Sequence, residues 1–227
     1  MKKVFLALAA TLIAAVPSTA QTLVNFSEVF GIPQTATPLN EPIAKGANGV
    51  VIIGDYRQNV EEGHSAGLSY AKKAAYFTVE GQTIKAEAAV NMVKYPTGVQ
   101  KNYQIIPTRI PVNRSLMLKA ETDGNVQVLY ASKKGKGRMF MGVFRNGKWE
   151  YLGEQTWENG TTAGSENNPY KPLKLDYPAQ AGDVIMLFAG APVDVYGIYY
   201  TGKLVKDFKG DDPRAFRTKK KSSKKSK

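Results

Sequence analysis

The sequence predicts an all-β protein, an antiparallel β-sandwich that is jelly-roll-like. About ten short runs rich in β-branched and aromatic residues follow one another every 8–12 residues or so, with turn residues between them. One Asn-Gly pair, Asn146-Gly147, separates two alternating runs, which is a strong signal for a β-hairpin. No run has the length and periodicity of a long amphipathic helix, so we expect two packed sheets.

Residues 1–20 have the pattern of a secretory signal peptide. Two lysines precede an apolar run over residues 4–16, and Ser18 and Ala20 occupy the small-residue positions of a cleavage site. The run is shorter than the roughly 20 residues that a membrane-spanning helix needs. We therefore expect export to the periplasm or the extracellular space, with no transmembrane segment once the signal is removed.

Residues 21–48 are rich in proline and threonine and predict an extended lead-in rather than a helix. The β-sandwich is expected over residues 49–208, and a lysine-rich, disordered tail over residues 209–227. The chain contains no cysteine, so its stability must come from burial in one domain rather than from disulfides.

The strands are bounded by turn residues along the whole sandwich region. Gly49 and Gly54 enclose the first run, and Glu80-Gly81 separates two later ones. Residues 68–75 are the one place where a turn or two of helix is plausible from the pattern. The predicted strands are residues 50–53, 76–79, 84–93, 103–106, 116–120, 126–131, 139–144, 148–152, 173–176, 184–189 and 193–201.

The hairpin around Asn146-Gly147 has a register that its turn fixes, with Phe144 opposite Trp149 and Gly142 opposite Tyr151. Its two faces are both partly apolar, so the pattern leaves open which of them packs in the core. Aromatic side chains usually lie inside, which favours the aromatic face as interior. Alternatively, a glycine between aromatic rings leaves a shallow floor that suits the apolar face of a sugar. The aromatic face carries Phe140, Gly142, Phe144, Trp149 and Tyr151, and the other carries Met139, Met141, Val143, Glu150 and Leu152.

Residues 63–67, Gly-His-Ser-Ala-Gly, match the nucleophile elbow of serine hydrolases. An elbow requires a buried strand before the serine, a helix after it and a histidine elsewhere in the chain as the base. Here polar residues 57–62 precede the motif, and His64, the only histidine, lies inside it. We interpret the motif as a glycine-bounded loop and do not expect a serine hydrolase.

Other catalytic and metal motifs are weaker still. Residues 69–72 match S-x-x-K, but the S-D-N and K-T-G elements that accompany it in penicillin-recognising enzymes do not occur. With one histidine and no cysteine, a zinc site is not expected, and we predict no cofactor. A structural calcium ion stays open, because five acidic residues lie at strand ends or in loops. They are Asp123, Asp176, Asp183, Asp211 and Asp212.

Residues 181–203, AGDVIMLFAGAPVDVYGIYYTGK, resemble the closing strands of accessory carbohydrate-binding-module-like β-sandwich domains of secreted, glycan-degrading bacterial proteins of the pectate-lyase type. Residues 115–132, SLMLKAETDGNVQVLYAS, are similar to a strand–Asp-Gly–strand hairpin of the same domains. The resemblance implies a jelly roll or related sandwich, and its motif is one of packing that transfers no binding residues. The matching positions are Gly182, Phe188, Gly190, Val193, Tyr196, Gly197, Ile198 and Tyr200.

The leading functional hypothesis is an exported, non-catalytic β-sandwich that binds carbohydrate through exposed aromatic rings. The polar stretch 156–172, TWENGTTAGSENNPYKP, has the composition of a recognition loop. The predicted ligand-binding residues are Trp149, Tyr151, Trp157 and Tyr170.

The end of the chain carries eight positive charges and no negative ones. These eight and the two lysines of the signal account for ten of the twelve net charges, which leaves +2 on residues 21–213. Such a run is either a solubilising end or a tether to an anionic polymer. For an exported protein, a polysaccharide or an anionic cell-envelope surface is the expected partner rather than nucleic acid. The charged residues are Arg214, Arg217, Lys219, Lys220, Lys221, Lys224, Lys225 and Lys227.

Two alternatives to carbohydrate binding follow from the same residues. The first is a structural or envelope-associated protein without a small ligand, docked to an anionic surface by its tail. The second is a lyase acting on acidic polysaccharide, since tyrosine, lysine and arginine are plentiful enough to supply its catalytic groups.

Overall fold

The computed structural model describes residues 21–55, 67–92, 114–132, 136–158 and 164–210. These residues form two packed sheets in which all pairings between strands are antiparallel, so the predicted β-sandwich is confirmed. The predicted strand at residues 103–106 lies outside the described residues. The described strands are β1 (Thr22–Asn25), β2 (Thr37–Pro38), β3 (Lys45–Ala47), β4 (Val50–Ile53), β5 (Ser69–Val79), β6 (Gln82–Met92), β7 (Ser115–Lys119), β8 (Val126–Ala131), β9 (Lys136–Arg145), β10 (Lys148–Glu158), β11 (Leu173–Lys174), β12 (Val184–Ala189) and β13 (Val193–Tyr200); one helix, α1 (Phe26–Phe30), follows β1.

The strand order is that of a jelly roll with additions at one side. Sheet A has the order β11-β8-β13-β6-β5-β2, with β1 also paired to β13, and sheet B has the order β10-β9-β12-β7-β4-β3. The eight strands from β6 to β13 correspond to those of a jelly roll. When they are renumbered from 1 (β6) to 8 (β13), their order is 1-8-3-6 in sheet A and 2-7-4-5 in sheet B. Early and late strands therefore alternate within each sheet, as the two Greek keys of a jelly roll require.

The central strands of sheet B bury side chains on both of their faces. One face meets sheet A in the main core, to which β9 contributes Met139, Met141 and Val143. The opposite face holds separate apolar clusters that include Phe140 and Met186. The aromatic face of the β9–β10 hairpin therefore does not lie between the two sheets, as the pattern favoured, but on the outside of sheet B, where Phe140 is nevertheless fully buried. The unbranched and β-branched side chains of β9 fill the space between the sheets instead.

The helical turn proposed for residues 68–75 is wrong, because this stretch belongs to β5. Its burial alternates along the strand, and it pairs with β6 over its whole length except for a bulge between Lys72 and Ala75. The alanines and lysines here favour a helix locally, but pairing with β6 and burial of Tyr70 in the core override that preference.

The sequence predicted an extended segment over residues 21–48, but the structure also contains a helix there. Thr22–Asn25 pair with β13 in sheet A, and the single turn of α1 follows directly. The Asn25 side chain caps this turn by accepting a hydrogen bond from the Ser27 N–H at 3.2 Å. The turn directs Phe26 into the core, where the Tyr70 hydroxyl donates to the Phe26 carbonyl at 2.8 Å. Burial of Phe26 in the core therefore stabilises a helical turn in a segment whose proline and threonine content favours an extended chain.

Residues 115–132 were predicted to form a strand–turn–strand hairpin, but their two strands do not pair with each other. β7 lies in sheet B between β4 and β12, and β8 lies in sheet A between β11 and β13. The turn at residues 122–124 carries the chain from one sheet to the other. β12 and β13 are related in the same way across residues 190–192. All four strands therefore have a hydrogen-bonded neighbour on each side.

Candidate functional site

Five aromatic side chains lie together on the outer surface of sheet B, and we call them the aromatic face. Phe140 and Phe188 are fully buried and stack with their ring centroids 5.2 Å apart. Trp149 and Tyr151 pack against this pair and remain partly exposed. The members of the aromatic face are Phe140, Phe144, Trp149, Tyr151 and Phe188.

The Asn-Gly turn positions this face, as the sequence predicted. Asn146 and Gly147 both have positive φ, at 49° and 75°, which a type I′ turn requires. The turn places Trp149 opposite Phe144 and Tyr151 opposite Gly142. Alternation along the two strands then puts their aromatic rings on one side of the sheet.

Gly142 seats the indole of Trp149. A Cβ at position 142 would lie 2.2 Å from the Cη2 atom of Trp149, so the ring covers the space that a side chain would fill. The expected shallow floor is therefore occupied by Trp149 and is not open to a sugar. The Trp149 indole N–H is buried and has no acceptor among the described residues.

Tyr151 lies beside a β-bulge in the middle of β10. The register shifts between Tyr151 and Gly153, and Gly153 has a φ of 153°. The ring of Tyr177 packs against Gly153, and its hydroxyl donates to the Glu154 carbonyl at 3.0 Å. Burial raises the pKa of Tyr151 to about 12, with smaller contributions from Glu154 and Tyr177. The Tyr151 hydroxyl is therefore protonated at neutral pH and able to donate a hydrogen bond.

An ion pair borders the aromatic face. The guanidinium of Arg138 lies 5.1 Å from the centroid of Phe140, in a cation–π contact, and its Nε lies 3.5 Å from a carboxylate oxygen of Glu154. Both side chains are partly exposed, at 26% and 39%. The sequence analysis missed Arg138, although strict alternation from Phe140 could have found it. Phe188 and Tyr177 come from other parts of the chain, and no local pattern connects them to this hairpin.

The four predicted ligand-binding residues do not form one group in the structure. Trp149 and Tyr151 lie together on the aromatic face. Tyr170 lies along β5 of sheet A, where its backbone bonds to Tyr76 and Thr78 and its ring centroid is 5.6 Å from that of Phe77. The backbone of Trp157 lies in β10 opposite Gly137, and its side chain is outside the described part of the structure.

Sheet A carries a polar cluster that the sequence analysis also missed. Asp194 accepts hydrogen bonds from Lys73 at 2.6 Å and from Asn91 at 2.9 Å, and its side chain is only 10% exposed. The three residues come from β5, β6 and β13, so only the strand order brings them together. The Lys73 charge compensates the buried carboxylate, which makes this cluster a stabilising cross-link between strands.

The acidic residues considered for calcium have other partners. Asp183 receives two hydrogen bonds from Arg145, at 2.9 and 2.7 Å, and one from the Gln180 N–H. Asp123 accepts from the Ala181 N–H, and Asp176 is 3.7 Å from Lys174. No group of three or more histidine, cysteine, aspartate or glutamate residues in the described ranges is arranged to hold a metal. Asp211 and Asp212 lie outside those ranges.

Three features of the sequence lie outside the described residues and stay as predictions. They are the motif around His64 and Ser65 and the eight basic residues at the end of the chain, together with the signal peptide at residues 1–20. Within the ranges that are described, no helix is long and apolar enough to cross a membrane.

Comparison with known proteins gives a similarity of fold only. No protein-family model matches the chain, and no curated protein matches it. Among solved structures, one from work on glycan recognition in the Ruminococcus flavefaciens cellulosome aligns with a TM-score of 0.37 and 13% identity, over 83% of this chain and 97% of the other. The isomalto-dextranase of Arthrobacter globiformis T6, complexed with panose, aligns with a TM-score of 0.31 and 9% identity, over 81% of this chain and 32% of the other. Such values do not identify a ligand for this chain, and the link to pectate-lyase-type proteins stays a prediction.

Proposed function

We propose that this protein is a non-catalytic glycan-binding β-sandwich and that the aromatic face is its binding surface. One observation supports this most directly: Trp149 and Tyr151 are partly exposed on the outside of sheet B, where they pack against the buried Phe140 and Phe188. Large aromatic side chains outside the main core, with charged groups beside them, are a frequent feature of binding surfaces.

The chemistry of this surface suits a sugar. The face of an aromatic ring carries partial negative charge, which attracts the weakly positive C–H groups on the apolar side of a pyranose. The Tyr151 hydroxyl, Arg138 and Glu154 supply hydrogen-bond donors and acceptors for sugar hydroxyls at the edge of the rings. Since burial moves the pKa of Tyr151 away from neutrality, we assign this residue to binding and not to proton transfer.

Binding to a glycan array tests this proposal through Tyr151. We expect Tyr151→Ala to weaken binding at least ten-fold, because it removes one of the two partly exposed aromatic rings, whereas Tyr151→Phe keeps the ring and should stay within about three-fold. Tyr76→Ala is the matched control, since Tyr76 is a partly exposed tyrosine on sheet A. Equal affinity of the wild type and Tyr151→Ala for every glycan bound would contradict the proposal, provided that both melt at similar temperatures.

Export belongs to the same proposal. The signal-like pattern of residues 1–20 and the lack of cysteine agree with a protein that meets polysaccharide in the periplasm or outside the cell. N-terminal sequencing of the protein purified from an expressing bacterium should start at Gln21. A start at Met1 would contradict export by this signal.

A second candidate function is a structural, envelope-associated role in which the tail alone docks the protein on an anionic surface. Its support is the concentration of eight positive charges in the last fourteen residues of the sequence, on a body that is nearly neutral. This candidate differs from the first in one measurable respect: binding would be lost on deletion of residues 214–227 and would not respond to Tyr151→Ala.

A further inference from the structure

We propose that a cavity on the outer surface of sheet A binds a hexosamine unit, a six-membered sugar ring that carries a free ammonium group. We call it the β1 cavity. It lies on the other sheet from the aromatic face, so it is a second site that goes beyond the function proposed above. Its place in the fold follows from the way in which β1 is inserted into sheet A.

The β1 cavity lies between β1 and the hairpin of β5 and β6. On one of its edges β13 pairs with β8, and on the other it pairs first with β6, at residues 193–195, and then with β1, at residues 197–200. β1 therefore takes the place beside β13 that β6 leaves. The Asn25 amide donates to the Lys85 carbonyl of β6 at 2.9 Å, which links the two strands. Toward the tip of the hairpin they enclose a cavity of about 240 Å³.

Four apolar or aromatic side chains line the β1 cavity: Leu23 from β1, Val79 and Ile84 from the hairpin, and Tyr199 from β13. Val79 and Tyr199 belong to an apolar cluster separate from the main core, and Ile84 packs against that cluster. Leu23 is 38% exposed, which is unusual for a large apolar side chain in the described ranges. A volume of this size is below the roughly 300–1,000 Å³ of pockets for drug-sized ligands, so the cavity suits one small ring with an apolar face.

Three polar side chains complete the lining, and their charge selects the ligand. The carboxamides of Gln21 and Gln82 both donate and accept hydrogen bonds, as the hydroxyl groups of a sugar do. The Glu80 carboxylate accepts only, and no lysine or arginine is among the described residues that line the cavity. An ammonium group on the ligand provides the missing positive charge through a charge-assisted hydrogen bond.

The hydroxyl of Tyr199 is a further hydrogen-bonding group at this site. It is buried and makes no hydrogen bond of normal geometry with a described residue, although the Glu80 carboxylate is close enough to affect its pKa. Burial first, and Glu80 second, raise the pKa of Tyr199 to about 12, so the hydroxyl is protonated at neutral pH. Buried polar groups normally have a partner, and a ligand hydroxyl beside Glu80 supplies one.

The backbone at Glu80 also favours a role in binding. Glu80 and Gly81 have φ values of 48° and 76°, as in a type I′ turn, whose first position is usually asparagine, aspartate or glycine. In the β9–β10 turn the equivalent residue is Asn146, with a φ of 49°. A glutamate is less suited to this left-handed conformation than an asparagine. The hairpin therefore keeps a carboxylate at the cavity at the expense of its own turn, as residues that serve binding often do.

The test uses three trisaccharides and calorimetric titration of the full-length protein. Trimers of glucosamine, N-acetylglucosamine and glucose, all β-1,4-linked, differ only in the ammonium, acetamide or hydroxyl group at C2. Spermidine carries three positive charges, as the glucosamine trimer does, but has no sugar ring. The variants are Glu80→Gln, Glu80→Asn and Tyr151→Ala. The matched control is Glu41→Gln, which removes the charge of an exposed glutamate between β2 and β3.

We expect the wild type to bind the glucosamine trimer at least about ten-fold more tightly than the other two trimers and spermidine. Both Glu80 variants should bind it only as tightly as the glucose trimer. Glu80→Asn should melt at the same temperature as the wild type or higher, because asparagine suits the turn, so its loss of binding cannot come from unfolding. Glu41→Gln and Tyr151→Ala should keep the preference for the glucosamine trimer within about two-fold.

The opposite results overturn the inference and are separable from failure of the proposed function. If Tyr151→Ala removes the preference and Glu80→Gln keeps it, the amine binds at the aromatic face, so the β1 cavity has no such role and glycan binding by that face stands. If the wild type binds the three trimers equally, or spermidine as tightly as the glucosamine trimer, the ligand class is wrong. If it binds none of these probes, the inference fails, while the glycan array with Tyr151→Ala still tests the aromatic face.

Discussion

At the scale of single residues, the packing of Trp149 in the aromatic face depends on Gly142. Trp149 lies flat against the sheet because Gly142, diagonal to it on β9, has no side chain. Tyr177 uses Gly153 in the same way at the bulge of β10. In both cases the ring covers the backbone of a glycine, which limits the orientations that the ring can adopt.

Gly142→Ala should therefore displace Trp149. The new Cβ would lie 2.2 Å from the indole, so the ring must rotate away, and we expect a loss of about 1–3 kcal/mol in the free energy of unfolding. Denaturant unfolding followed by circular dichroism measures the loss. The matched control is Gly46→Ala in β3, where the nearest atom would be a Val51 methyl at an ordinary 3.4 Å. If both substitutions have the same effect, Gly142 does not seat the indole.

At the scale of elements, the β9–β10 hairpin is held to its neighbours at both ends of β9. Near the turn, Arg145 binds Asp183 through two hydrogen bonds, and the Asp183 side chain is only 1% exposed. At the far end, the Gly190 N–H donates to the Arg138 carbonyl at 2.7 Å. Between these points β9 pairs with β12 from Phe144 to Met139. The aromatic face is therefore built on a strand whose position does not depend on its own hairpin partner alone.

Arg145→Ala should be strongly destabilising, because it leaves the buried Asp183 carboxylate without its positive partner. We expect a loss of about 3 kcal/mol in the free energy of unfolding, measured by urea denaturation at neutral pH. Lys174→Ala is the matched control. It breaks the ion pair with Asp176, in which both side chains are more than 60% exposed, and should cost less than about 1 kcal/mol. Similar losses in the two variants would show that Asp183 finds another partner.

The elements differ in how far the sequence predicts them. The bounds of β8 and β12 follow from their apolar runs, and the Asn-Gly turn fixes the register of β9 with β10. Bulges do not follow from such patterns. Strict alternation in β13 would place Val195 and Ile198 on opposite faces of the sheet. The register shift at Tyr196 instead places both side chains in the main core. The choice of which face of β9 is interior also depends on what covers the sheet from outside, and local sequence carries no information about that.

The candidate site shows the same limit. Trp149 and Tyr151 were predictable as neighbours because one turn relates them. Phe188 joins them only through the pairing of β12 with β9, although it lies 37 residues after Tyr151 in the chain. Tyr170 was grouped with them because it ends a polar loop, but its backbone bonds to β5 place it on sheet A. Sequence reasoning therefore identified the rings of one hairpin and missed the contacts that strand order alone creates.

At the scale of the whole molecule, sheet A buries tyrosines fully and sheet B buries one in part, and burial raises the pKa of each. Sheet A and its connections contribute Tyr70, Tyr130, Tyr196, Tyr199 and Tyr200, and sheet B contributes the half-buried Tyr151. For Tyr70, Tyr151 and Tyr199 the pKa rises to about 12, and for the other three it rises as well. Desolvation of the phenolate is the first cause in every case. The neutral phenol is thus favoured by the folded state relative to the unfolded chain, where the pKa is about 10.

This difference makes the fold sensitive to alkaline pH. Because the pKa is higher in the folded state, the contribution of these tyrosines to stability is fully present below about pH 10 and is lost as the pH rises through about 12. We expect the urea midpoint to be level from pH 8 to about 9.5 and to fall steeply above about pH 10.5. In an alkaline titration without urea, tyrosinate absorbance from these six residues should appear together with loss of the β-sheet circular dichroism signal. If all twelve tyrosines ionise near pH 10 while that signal is unchanged, the rings are not buried as the two-sheet packing requires.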